Sequence, residues 1–325
     1  MLLVLAPLPH LDRVQFVERL DHAGPVHEVH AAHFEPGGAG LVALRAARAL
    51  GLRARLVAFR GPGSLGDLIA TSCSSESIDV AWLSMAAPTP MRAIYHGCDA
   101  SGAMSRHVYR EHPPRLSDTE LRSYLSRFER ELDSELDSEL GSELGGRDEP
   151  GAMPAVDGVL VCETNAMQGS LAIVFEELVH RVRDRGLPWM LVTSLRASAL
   201  RALGPAMVFE DRKLGEGDAI PDPGDSRGGN TALLLRDAHD DFHVELPHVE
   251  LDLDVPKPGD RGGEAPLEAA AIAYHLRRTQ GWPERMASCF AAAAAVAQTR
   301  KQLGGRLAMS EIDGFFSQVR AREIA

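Results

Sequence analysis

No hydrophobic run in this 325-residue sequence approaches the roughly 20 residues that a membrane-spanning helix needs. The apolar start Met1–Leu8 is too short for a signal peptide and lacks a basic flank, so it predicts a buried first strand. Cysteine is scarce. Cys73, Cys98, Cys162 and Cys289 lie far apart with no CxxC pairing, which argues against a disulfide framework and predicts reduced thiols in a cytoplasmic protein. Ligand-spaced histidines are missing too: the 13 histidines include no HExxH, and His27, His30 and His33 recur in strand-like sequence that turns them to alternate faces. A metal site is not expected. Positive charge is also short, with 34 Lys and Arg against 46 Asp and Glu and a formal net charge of −12. That balance argues against nucleic acid as the main partner. Part of the charge sits in one acidic segment, so a locally basic pocket for a phosphorylated ligand stays compatible with it.

What is present is ample apolar material, 45% of residues, enough for one large α/β domain or two small ones. Val14–Leu20 and Val26–Phe34 alternate apolar and polar residues as half-exposed strands do, and Leu41–Leu50 has helical period and stops at Gly51. A strand at Arg55–Phe59, a helix at Ser64–Cys73 and a strand at Val80–Ser84 follow. Met91–Tyr95 and Ser105–Tyr109 flank a turn-rich segment and predict a hairpin. Ser117 and Glu120 have capping-box spacing and open a helix through about Arg130. The tetrad repeat Glu131–Leu144 (ELDS, ELDS, ELGS, ELGG) reads better as a solvated extension of that helix than as a docking helix.

The α/β rhythm then resumes with strands at Gly158–Cys162, Trp189–Thr193 and Ala206–Phe209, and helices at Ser170–Arg185 and Ala197–Leu203. Thr231–Arg236 and Asp241–Leu246 look like antiparallel partners. Helices at Leu267–Arg278, Glu284–Thr299 and from Ser310 close the chain. Strands alternating with helices imply a parallel sheet covered on both faces, and the early strand pairs without helices suggest a small β flap.

Three glycine-bearing stretches carry the functional signal. Pro36-Gly37-Gly38-Ala39-Gly40 precedes a helix and lets backbone approach a ligand closely, or simply makes a tight turn. Ser226-Arg227-Gly228-Gly229-Asn230 precedes a strand and reads either as backbone amides set against phosphates or as a flexible turn. The third runs from Asp254 through Pro256-Lys257-Pro258-Gly259-Asp260 to Pro266 and feeds a helix N-terminus, where free N–H groups and the helix dipole favour an anion. An aspartate there can take a proton from an attacking hydroxyl. Asp12, just past the first strand, sits where a parallel sheet presents polar groups to ligands; the plainer reading is a turn cap.

Taken in order, these pieces resemble the PfkB/ribokinase family of carbohydrate kinases, closest to its 1-phosphofructokinase and tagatose-6-phosphate kinase branch. The N-terminal part is most specific: PHLDR followed by GPVHEVHAAHFEPGGAGLVALRAARALG is similar to that branch's PALDR and DPGGKGINVARALARLG. The resemblance spans nearly the whole chain apart from the acidic insert at about 131–154. It implies a single three-layer α/β/α ribokinase-like sandwich with a mostly parallel central sheet. It also implies a small β-sheet lid, at about 13–35 and 90–110. The implied activity is transfer of phosphate from ATP, with Mg²⁺, to a hydroxyl of a sugar or sugar phosphate, in a protein that can pair through its lid. In that reading Asp12, Gly37 and Gly38 hold sugar hydroxyls and Arg92 meets a substrate phosphate. Ser226, Gly228 and Gly229 lie against the nucleotide, Lys257 and Gly259 belong to the anion hole, and Asp260 is the base.

The chain also departs from the family pattern. The family's DTTGAGD reads Asp254-Val255-Pro256-Lys257-Pro258-Gly259-Asp260, so Pro258 removes an amide from the anion hole. Other registers place Glu264 or Pro266 at the base position. The lysine after the double glycine is Ala39, and the KPNxxE segment reads Phe209-Glu210-Asp211-Arg212-Lys213-Leu214. The loop after Cys162 reads Glu163-Thr164-Asn165-Ala166-Met167 instead of SGSLPPG. Two functions therefore stand side by side: an active phosphotransferase, or a kinase-fold homologue that binds a sugar phosphate or nucleotide as a sensor or partner subunit.

Overall fold

The computed structural model describes residues 1–20, 29–99, 101–102, 104–133, 156–162, 170–193, 205–211, 231–236, 241–246, 249–255, 266–301 and 307–323. Its strands, in chain order, begin with β1 (Leu2–Leu5), β2 (His10–Arg19), β3 (Val29–Gly37), β4 (Ala54–Arg60), β5 (Val80–Ser84), β6 (Met91–Cys98) and β7 (Met104–Arg110). They continue with β8 (Gly158–Cys162), β9 (Trp189–Thr193), β10 (Met207–Asp211), β11 (Ala232–Arg236), β12 (Phe242–Leu246), β13 (Val249–Asp254) and β14 (Arg320–Glu323). The described helices are α1 (Ala39–Ala49), α2 (Ser64–Ser75), α3 (Asp118–Asp133), α4 (Ser170–Asp184), α5 (Pro266–Thr279), α6 (Glu284–Thr299) and α7 (Met309–Phe316).

Ten strands form one sheet in the order β14-β13-β12-β11-β10-β9-β8-β1-β4-β5. Every pairing from β11 across to β5 is parallel, while β12, β13 and β14 add on antiparallel. The period-2 geometry of strands divides the core in two. Leu2 and Val4 face one cluster with Leu41, Leu44, Ile272 and Phe290 from α1, α5 and α6. Leu3 and Leu5 face the other with Tyr124, Phe128 and Leu178 from α3 and α4. Helices on both faces make three layers, as expected from the alternation of elements.

α5 is buried from Pro266 through Leu276 on every side, because it lies between the sheet and the alanine-rich α6. The capping box at the start of α3 forms as its spacing predicts: the Ser117 backbone N–H donates to Glu120 Oε2 at 2.6 Å, and the Glu120 N–H donates to Ser117 Oγ at 3.3 Å. Tyr124 on that helix donates its buried hydroxyl to the Val57 carbonyl at 3.0 Å, tying α3 to β4.

A second, four-stranded sheet has the order β3-β2-β6-β7. The two early strand pairs anticipated from sequence are joined into one sheet by parallel pairing of β2 with β6. β2 starts at His10, four residues before the expected Val14, because it stays paired with Gly37 on one side and with the strand beginning at Met91 on the other. Asp12 therefore sits inside a lid strand, not in the turn after β1. Strands β13 and β14 were not anticipated. The helix expected at Ala197–Leu203 and the acidic repeat beyond Asp133 lie outside the described residues.

Candidate functional site

The chain leaves β1 through Ala6–Pro9 and enters the lid at His10; it returns along β3 and turns at Gly37–Gly38 into α1. A Cβ on Gly40 would stand 2.6 Å from Ala6 Cβ and 2.7 Å from Leu56 Cδ1, so the start of α1 is pressed onto the carboxyl end of β1 and the side chain of Leu56 on β4. That edge is where open parallel sheets place ligands. Gly38 has φ of +107° and lies 3.3 Å, measured from its would-be Cβ, from Pro9 Cα, so a side chain there is both strained and crowded. Arg45 of α1 holds the outgoing strand: its Nη1 donates to the Pro36 carbonyl at 2.7 Å while Nε and Nη2 each donate to Glu76 at 2.8 Å.

Two of the sequence-predicted residues meet here. Asp12 on β2 and Arg92 on β6 are in register, which puts their side chains on one face of the lid. Arg92 grips the carboxylate bidentately, Nε to Oδ1 at 2.7 Å and Nη2 to Oδ2 at 2.5 Å. Both are buried, at 2% and 6% exposure. Burial works against ionisation of Asp12, yet the neighbouring His10 ring and the Arg92 guanidinium overcome it and hold the carboxyl below its ordinary value. Gly37 closes the site from below: a Cβ there would stand 2.3 Å from Asp12 Oδ2. The structure thus gathers Asp12, Gly37, Gly38 and Arg92 in one place. Lys257, Gly259, Asp260 and Glu264 lie outside the described residues, as do Ser226, Gly228 and Gly229, whereas Pro266 is the first residue of α5.

Sequence reasoning passed over several groups. His10 reaches the same carboxylate, with Nε2 3.2 Å from Asp12 Oδ1. The signal was its position two residues before Asp12, which in a strand means the same face. Thr193 and Glu210, cross-strand neighbours at the carboxyl ends of β9 and β10, are each 2% exposed. Glu268, in the first turn of α5, is buried close enough to Cys162 that burial and the Glu268 charge together push that thiol well above its ordinary value. These polar groups line the same sheet edge as the turn. Among the described residues, no three His, Cys, Asp or Glu side chains group to hold a metal ion.

A three-layer α/β/α sandwich with a four-stranded lid rooted at a double-glycine turn is the ribokinase-like fold of carbohydrate kinases. Over 100% of both chains the protein is similar to a solved structure described as a possible 1-phosphofructokinase from Thermotoga maritima, with a TM-score of 0.79 and 15% sequence identity. It is likewise similar over 98% of each chain to phosphofructokinase-2 from Escherichia coli in complex with fructose-6-phosphate (TM-score 0.72, 17% identity). A carbohydrate kinase from Agrobacterium tumefaciens matches over 99% of each chain (TM-score 0.65, 16% identity). At these identities the likeness is one of fold. No protein-family model and no curated protein matches the sequence.

Proposed function

We propose that the chain is an ATP-dependent phosphotransferase acting on a hydroxyl of a phosphorylated ketose or a related small alcohol. The observation that carries this reading is the buried Asp12–Arg92 pair standing on the Gly37–Gly38 turn. The lone pairs that Arg92 leaves open on the carboxylate can accept sugar hydroxyls, the guanidinium charge favours a phosphate nearby, and bare glycine backbone lets a ligand come close. In this reading the acceptor hydroxyl loses its proton to Asp260, its oxygen takes the γ-phosphoryl group, and ADP leaves. Lys257 and the Gly259 amide face the transferring group, and Ser226, Gly228 and Gly229 hold the nucleotide. Such chemistry asks the protein mainly for positioning and charge stabilisation. Mg²⁺ enters only as the counter-ion that ATP brings.

A second reading rests on the composition of the loop before α5. Pro258 has no N–H to offer an anion, and Asp211 and Leu214 stand where the KPNxxE pattern has its asparagine and glutamate. Both favour a protein that binds a sugar phosphate or nucleotide without transferring phosphate. Thermal unfolding with Mg·ATP, Mg·ADP, fructose 1-phosphate, fructose 6-phosphate and tagatose 6-phosphate, singly and paired, separates the readings. A ligand specific for the folded state adds about 2.7 kcal/mol at a hundredfold excess over its dissociation constant. Shifts with nucleotide and sugar phosphate, plus turnover abolished by Asp260→Asn, are the expected result for a kinase. A shift without turnover selects the second reading, and no shift with any ligand overturns both.

The lid also supports a homodimer. Phe34 and Tyr109 share one row of the lid sheet through Arg13 and Ala93, and are 47% and 56% exposed. Tyr109 packs edge-on against Tyr95 with ring centroids 5.7 Å apart. Sedimentation equilibrium is expected to give twice the chain mass, falling to the monomer in Phe34→Glu; a wild-type monomer sinks the idea.

A further inference from the structure

Charged residues at the base of the lid are sorted by strand. Paired positions on neighbouring strands put their side chains on one face. The register carries a single row from Glu35 on β3 through Asp12 on β2 and Arg92 on β6 to Arg110 on β7. Both acids stand on one half of the row and both arginines on the other. The inner two hold each other, since Nε and Nη2 of Arg92 donate to the two oxygens of Asp12. Arg110 is different. It is exposed, and among the described residues it makes no hydrogen bond and no ion pair. Glu111, next in sequence, accepts the Met91 N–H at 2.8 Å instead. The residue directly opposite Arg110 is another arginine, and like charges facing each other on a sheet are unfavourable. Nothing in the row stabilises the Arg110 guanidinium. In a chain with 46 acidic residues against 34 basic ones, a basic pair with one member unmatched is a place for an anion from outside.

We propose that Arg110 holds the phosphate of the bound substrate, an inference that rests on the reading of this site as a sugar-phosphate site. A guanidinium offers five N–H donors in a planar fork that fits two phosphate oxygens at once. Arg110 has the whole fork to give, whereas Arg92 has Nε and Nη2 committed to Asp12. Arg92 then adds charge to the phosphate side without a fork of its own. The row also fixes direction. Sugar hydroxyls face Asp12 and Gly37 on the β2–β3 half, and the phosphate faces β7, so the ligand lies across the strands and not along them. Arg110 thus determines specificity for phosphorylated over plain sugars, because a ligand without phosphate leaves its fork empty.

The test is titration calorimetry of the full-length protein with fructose 1-phosphate, fructose 6-phosphate and tagatose 6-phosphate, and with inorganic phosphate as a competitor. The proteins compared are the wild type, Arg110→Ala, Arg110→Lys and Arg122→Ala, which removes the same charge from an exposed position on α3. Arg110→Ala is expected to weaken the preferred sugar phosphate on the order of 10- to 100-fold, and inorganic phosphate by a similar factor. Arg110→Lys keeps the charge but not the fork and is expected to recover part of the loss. Arg122→Ala should change affinity by less than about threefold, because screening confines a distant exposed charge. Unchanged sugar-phosphate affinity in Arg110→Ala overturns the inference and leaves the sugar-phosphate reading standing. A loss confined to the sugar phosphates, with inorganic phosphate unaffected, also overturns it, since Arg110 then meets some other part of the ligand. Equal losses in Arg110→Ala and Arg122→Ala overturn it as well, because net charge alone then explains the effect. A wild-type protein that binds none of the four ligands overturns the inference together with the reading beneath it.

Discussion

Gly37→Ala is expected to abolish sugar-phosphate binding while leaving most of the fold intact. The new methyl carbon would stand 2.3 Å from Asp12 Oδ2, 2.7 Å from Asp12 Cγ and 2.8 Å from His10 Nε2, all inside van der Waals contact. None of these atoms has an easy retreat. The Asp12 carboxylate is fixed by two hydrogen bonds to Arg92, and β2 is held by strands on both sides. Relief has to come from displacing the carboxylate or lifting β3, and either change moves the groups a ligand needs. Overpacking of this kind costs about 1–3 kcal/mol of stability. A site moved by about 1 Å loses on the order of 100-fold in function. Gly51→Ala is the useful control: unlike Gly37, Gly51 has positive φ, at +73°, but a Cβ there meets nothing within 4 Å, so stability falls modestly and binding stays. Calorimetric titration and urea unfolding of both variants check the pair of outcomes. Retained affinity in Gly37→Ala removes the glycine turn from the site.

The contrast between these two glycines shows how far the sequence could be read. That Gly51 ends a helix follows from local pattern alone, and so do the helix and strand bounds of Val80–Ser84, Gly158–Cys162 and Glu284–Thr299, which the structure reproduces. Pairing between distant segments is another matter. Asp12 and Arg92 are 80 residues apart, and only the parallel register of β2 with β6 brings them to one face. A resemblance to known kinases supplied both names, but not their bidentate contact or their burial. β14 escaped for a different reason: Arg320–Glu323 is Arg-Ala-Arg-Glu, exposed and without apolar alternation, and it is a strand because β13 offers it an edge. His10 was passed over because its place beside Asp12, with the ring across two glycines, is a fact of packing. The loop from Lys257 to Ala265 carries the proposed base and lies outside the described residues, so its assignment rests on sequence order.

Arg92→Met is expected to cost about 3–5 kcal/mol of stability at neutral pH, the usual effect of stranding one member of a buried ion pair. Methionine keeps the length and apolar stem of the side chain but leaves Asp12, 2% exposed, without its main partner. The pH dependence gives the diagnosis. In the wild type the Asp12 carboxyl is held below its ordinary value. Its contribution is therefore present above the unfolded-state value of about 3.9 and is lost as pH falls through the folded value. In Arg92→Met the opposing influence, burial, gains ground, so the carboxyl shifts upward and its protonated form is tolerated. The deficit against the wild type should then be largest near pH 7 and shrink as pH drops below about 4. His10 and Glu35 remain near Asp12 in both proteins and do not reverse that sign. Adding Asp12→Leu to Arg92→Met removes the stranded charge and is expected to recover most of the lost stability without recovering ligand binding, because an apolar pair replaces an ion pair at little cost. Urea unfolding of the three proteins from pH 3 to pH 8 decides the matter. A deficit in Arg92→Met that does not change with pH assigns the loss to packing of the arginine stem, and a double variant as unstable as Arg92→Met assigns it to the strand pairing of β2 with β6 instead of the charge pair.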